Sequence, residues 1–87
     1  MQLSNTIRAL SDESRRKILE LLKEKDMPAG EIAKHFSITL PTLSHHLNVL
    51  KQNNLVTFQR KGQELIYSLN LSVFEETAKA LLKFFKK

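Results

Sequence analysis

Cysteine is absent from the chain. That absence excludes disulfides, thiolate metal sites and cysteine nucleophiles at once. Glycine and proline occur only twice each, so there is neither a Gly-rich phosphate loop nor a Gly/Pro/Ser linker. No apolar run approaches the length of a membrane span. Met1, Gln2, Leu3, Ser4 and Asn5 lack the charged-then-apolar order of a secretory signal, so a cytoplasmic chain is expected. The 87 residues are expected to form one domain, 1–87, without room for a second core. So small a domain, with no disulfide or thiolate site to brace it, is often stabilised by a partner chain.

Negative charge is missing from one long stretch. All nine acidic residues lie outside 32–63, the nearest being Glu31 and Glu64. Inside it stand Lys34, Lys51, Arg60, Lys61 and all three histidines. The formal net charge of +5 suits an anionic partner, but its distribution says more. A surface facing a phosphate backbone is one from which carboxylates are repelled.

The hydrophobic pattern predicts four helices, a hairpin and a final helix, a mainly α (α+β) fold. A first helix is expected over 2–10, with Leu3, Ile7 and Leu10 on one stripe. Asp12 is placed to cap a second helix reaching Lys25, whose inner face is Ile18, Leu21 and Leu22. Pro28 falls where a first helical turn tolerates it, and Ala29, Ile32, Ala33 and Phe36 follow at the spacing of one helix face. Thr39 can cap the next helix, which Pro41 joins in its first turn and Asn53 and Asn54 end. A connection of only Ser37, Ile38 and Thr39 is too short for a long antiparallel pair and fits a crossed helix-turn-helix. From Leu55 to Leu69 the period changes to two, with Arg60, Lys61, Gly62 and Gln63 as the turn. A hairpin directly after a helix-turn-helix is a wing. The last helix, 72–86, carries Phe74, Ala78, Leu81, Leu82 and Phe85 on one side.

The helix over 40–53 carries the chemistry. With Leu43, Leu47 and Leu50 inward, Pro41, His45, Asn48 and Gln52 face outward, flanked by Thr42, Ser44, Val49 and Lys51. An ordinary exposed face in so charged a protein would hold Lys and Glu. This one offers small neutral donors and acceptors, the groups that read base edges in a major groove, with Lys51 within reach of a phosphate. Base contacts in such motifs come from the N-terminal part of the helix, which favours Leu40, Pro41, Thr42, Ser44, His45 and Asn48. Arg60, Lys61 and Gln63 at the wing tip are the second element, suited to a minor groove or to phosphates.

Residues 40–51, followed by Leu55, Val56 and the tip 60–63, resemble the recognition helix and wing of the ArsR/SmtB repressors, as does the stretch 10–19 upstream. The resemblance covers essentially the whole chain and is nearest to the metal-free SdpR-type autorepressors of that family. Glu13 stands where the family often has Pro, and Asn54 where it usually has Gly. The resemblance implies a winged helix-turn-helix homodimer joined through its first and last helices, binding an inverted-repeat operator and blocking a promoter. Leu3, Ile7 and Leu10 with Phe74, Leu81 and Phe85 also offer more apolar surface than one small core covers. Relatives that sense metals use a Cys pair in the third helix or Asp and His ligands along the last. Here the former is Pro28-Ala29-Gly30-Glu31-Ile32-Ala33 and the latter holds only Glu75 and Glu76. Neighbouring carboxylates point about 100° apart on a helix and share an ion poorly, so no metal and no other cofactor is expected.

Three other readings compete. An enzyme lacks support, since Ser44 has no base except a neighbour facing elsewhere. A winged-helix module binding an acidic protein would share the basic hairpin, but would favour Lys and Arg on the helix face. The segment 81–87 is basic and amphipathic enough for a membrane surface, yet in so small a domain that pattern is more often a dimer seam.

Overall fold

The computed structural model of the chain describes residues 3–85, with side chains from Ser4 onward. The Gln2 start of the first helix, the side chain of Leu3, and Lys86 and Lys87 lie outside the described residues. The elements run α1 (Leu3–Leu10), α2 (Glu13–Glu24), β1 (Met27–Pro28), α3 (Ala29–Ala33), α4 (Leu40–Gln52), β2 (Val56–Lys61), β3 (Glu64–Leu69) and α5 (Leu71–Phe85).

Local chemistry explains most boundaries. The Asp12 carboxylate accepts from the Arg15 N–H at 3.0 Å, and the Thr39 hydroxyl accepts from the Thr42 N–H at 3.3 Å. Each satisfies an orphan donor at a helix start. Asn53 closes α4, and Asn54 takes the left-handed conformation with φ 59°, which Asn tolerates better than most residues. Gly62 does the same at the hairpin with φ 64°.

Three differences from the sequence pattern have physical causes. Met27 and Pro28 form a short strand rather than a helical start, pairing antiparallel with Tyr67 and Ile66. Pro28 lies on the sheet edge, where a missing N–H leaves no ladder bond unmade. The sheet order is therefore β1-β3-β2, with three strands instead of two. Helix α3 ends at Ala33, so Phe36 packs from the following turn instead of extending the helix face. In α2, Leu19 is buried together with Ile18 and Leu22, while Leu21 is only half-buried.

Ile18, Ile32, Leu43, Leu47, Leu50, Leu55 and Val56 are the centre of one core, joined by Ala9, Met27 and Tyr67. Each large aliphatic side chain buried there contributes roughly 1.5–3 kcal/mol. Burial also raises the pKa of the Tyr67 hydroxyl above its usual value. Across the hairpin Tyr67 pairs with Phe58, their rings 5.8 Å apart. Among the described residues no helix is long and apolar enough to cross a membrane.

Helix α5 behaves differently along its length. Val73, Phe74 and Thr77 rest on the body of the domain, but every residue from 78 to 85 is exposed. At about 100° per residue, Leu81, Phe84 and Phe85 continue the stripe begun by Val73 and Phe74, with Leu82 beside its edge, yet the described chain ceases to cover it.

Candidate nucleic-acid interface

The three-leucine lock on α4 is present. Leu43, Leu47 and Leu50 are buried, and His46 joins them. That inward set turns the opposite face out. Pro41, Ser44, His45, Asn48, Lys51 and Gln52 are exposed, and Leu40 at the helix start is 66% exposed. Thr42 is exposed too, but its hydroxyl lies 2.9 Å from that of Thr39 and takes part in the cap. Its first bond is thus internal, which leaves Ser44, His45 and Asn48 as the freer hydrogen-bonding groups.

Side chains of α2 and its cap hold α4 in place against α1. The Nε of Arg15 donates to the Ala9 carbonyl at 2.7 Å, and its Nη2 to that of Arg8 at 3.3 Å. Its Nη1 lies 3.3 Å from Nδ1 of His46, while Nε2 of His46 stands 4.0 Å from the Asp12 carboxylate. The Arg15 N–H bond lowers the Asp12 pKa below its ordinary value, more than partial burial raises it. Nothing in the sequence pattern marks Arg15 for this role, because its partners are six or more residues away.

The wing is positioned from the other flank. The Lys51 ammonium sits 4.8 Å from the centroid of the Phe58 ring, a cation–π interaction between α4 and β2. Phe58 is 41% exposed, an aromatic on the surface beside the helix, and no spacing rule singles it out.

Arg60 and Lys61 do not form part of the turn. Both belong to β2, opposite Leu65 and Glu64, and the turn is Gly62 and Gln63 alone. Strand alternation then separates the two cations. Arg60 shares the face of Phe58, toward α4, while Lys61 shares the other face with Thr57 and Gln59. Glu64 directly across from Lys61 also brings a carboxylate into the wing tip. The stretch that is free of acid in sequence is bordered by acid in space, and Arg60 is the less compensated cation. Gln63 remains exposed at the turn.

Of the residues expected at a dimer seam, Ile7 is 51% and Phe85 76% exposed, and Leu81 is also exposed. Leu10 and Phe74 are half-buried against the domain's own core, so they serve that core first. Leu71, Leu82 and Phe84 are exposed beyond the expected set. Among the described residues, no group of three His, Asp or Glu side chains comes together as a metal-ligand set.

Comparisons with known proteins agree with this geometry. Residues 12–57 match the family described as bacterial regulatory protein, arsR family. The transcriptional repressor SdpR of Bacillus subtilis is 49% identical over 98% of this chain and 94% of its own length. An ArsR-like transcriptional regulator from Rhodococcus sp. RHA1 superposes with a TM-score of 0.86 at 30% identity, over 94% of this chain and 77% of the other. The homodimeric winged helix-turn-helix DNA-binding domain of a possible ArsR-family transcriptional regulator from Mycobacterium bovis gives a TM-score of 0.77 at 28% identity, over 91% and 74%. The helix-turn-helix, the wing and these matches make this chain a member of the arsR family of bacterial regulatory proteins.

Proposed function

We infer that the chain is a DNA-binding transcriptional repressor acting as a homodimer, not an enzyme. The observation that carries this reading is the outer face of α4: Ser44, His45 and Asn48 exposed and uncharged on a helix locked by buried leucines. Such side chains donate and accept at base edges, whereas an ordinary solvated face would carry charge. In this reading Leu40, Pro41, Thr42, Ser44, His45 and Asn48 approach bases. Lys51, Arg60, Lys61 and Gln63 approach the backbone, with Arg60 foremost. The SdpR repressor's name supports repression, achieved by occupying an operator and blocking the promoter.

The uncovered stripe of α5, with Ile7 and Leu10 of α1, is the surface a second copy covers. A two-fold dimer presents two copies of α4 to successive major grooves, so its operator is an inverted repeat. No metal participates. An acidic protein partner is the weaker reading, because it would draw Lys and Arg rather than Ser, His and Asn onto α4. Selection of bound fragments from random duplexes tests the proposal. An enriched inverted repeat held by two chains supports it, and recovery of unrelated sequences overturns it.

A further inference from the structure

A cleft of about 280 Å³ opens between α1 and the C-terminal end of α4. Its lining is apolar at Ala9 and Val49 and polar at Asn5, Arg8, Gln52 and Asn53. The lining thus offers one guanidinium and three carboxamides, and no carboxylate. The guanidinium of Arg8 and the carboxamides of Gln52 and Asn53 offer N–H donors, which suit an acceptor-rich anion.

Two of these residues are held in place. The Arg8 carbonyl accepts from the Ser11 hydroxyl at 2.6 Å and from Arg15 at 3.3 Å, which fixes the backbone beneath the guanidinium. Asn53 donates one amide hydrogen to the Val49 carbonyl at 2.9 Å, which holds its side chain against α4 and leaves a second hydrogen. Among the described residues Lys25 pairs with Glu31, the Asp12 carboxylate stands 4.0 Å from His46, and Arg8 belongs to neither contact. Thr6 and Ala9 face the core. With about 100° per residue, Ile7 then lies on one flank of α1, and Asn5 and Arg8 on the other.

We propose that this cleft binds an oxyanion, a phosphate or a small carboxylate, supplied either free in solution or by a nucleic-acid backbone. A bound oxyanion bridges α1, which carries part of the uncovered apolar surface, to the last turn of the outward-facing helix. It therefore links the two surfaces. Oxyanion binding here does not depend on the operator reading, and the test separates them.

The test is an NMR titration of the full chain with sodium phosphate, then with succinate, against sodium chloride at matched ionic strength. Saturable shifts are expected at the Arg8 Nε–H and at the side-chain amides of Gln52 and Asn53. Arg8→Gln should weaken the response by about tenfold or more, as expected when a charge-assisted bond is removed, with an unchanged unfolding midpoint. Gln52→Leu, at an exposed position, provides a second variant should Arg8→Gln unfold. A short duplex forms the other arm. Shifts of the same signals by duplex, reversed by phosphate, assign the source to the backbone; shifts by phosphate or succinate alone assign it to a free oxyanion. Shifts that follow chloride equally, persist in both variants, or fail to occur with any of the three ligands overturn the proposal.

Discussion

The guanidinium of Arg15 lies 3.3 Å from Nδ1 of His46 while also donating to the carbonyls of Ala9 and Arg8. A guanidinium has only donors, so Nδ1 of His46 is the acceptor and the ring hydrogen sits on Nε2, toward Asp12. One side chain thereby ties the end of α1 to α2 and to the inner face of α4. Arg15→Ala leaves two carbonyls and a largely buried ring nitrogen without this donor. The expected cost is about 1–3 kcal/mol of unfolding free energy, measured by urea denaturation. A cost well below that range would mean water replaces the network without penalty.

Asp12 gives this end of α2 a pH dependence with a definite sign. Its pKa is lower folded than its ordinary value of 3.8, so its contribution is present above that value and fades as pH falls through the lower folded one. The side chain is 37% exposed, so the effect is modest. Asp12→Asn keeps a capping oxygen but removes the charge. Its stability should match the parent within about 1 kcal/mol at neutral pH, and should show less of the acid-limb dependence. Parallel stability curves for both proteins across the acid limb would rule out Asp12 as the source.

The wing cations are not equivalent. Arg60 shares the sheet face that meets α4, whereas Lys61 faces away with Glu64 across from it. Arg60→Ala should lower the salt slope of duplex binding by about 1 and weaken all sequences alike. Lys61→Ala should lower it less. Equal slopes for the two variants would show that the cross-strand carboxylate has no influence on phosphate binding by the wing.

The exposed end of α5 is expected to bury itself against a second copy. Phe84 and Phe85 are 80% and 76% exposed, and aromatic side chains of this size rarely stay so in water without a partner. Leu82→Glu with Phe85→Glu should convert a dimer to a monomer in sedimentation equilibrium while the helical signal of the domain persists. An unchanged mass would place the dimer seam elsewhere.

Much of the fold was legible because its signals are local. Thr39 and Asp12 cap, Gly62 turns, Asn54 ends a helix, and the leucine spacing of α4 fixes which side is outward. The exposed face of Ser44, His45 and Asn48 follows from that spacing alone. What stayed hidden depends on pairing across the chain. Met27 and Pro28 become a strand only because β3 offers an edge. Arg60 and Lys61 part company only once register sets strand alternation. The Lys51–Phe58 and Arg15–His46 pairs join segments that no helical or strand period relates.

The most direct test of base reading by α4 compares a selected duplex with a scrambled one for Ser44→Ala, His45→Ala and Asn48→Ala. Each substitution that removes a hydrogen bond to a base edge is expected to reduce the discrimination between the two duplexes by about 1–3 kcal/mol, with little change in the salt slope. Equal weakening on both duplexes for all three variants would contradict base reading by this face.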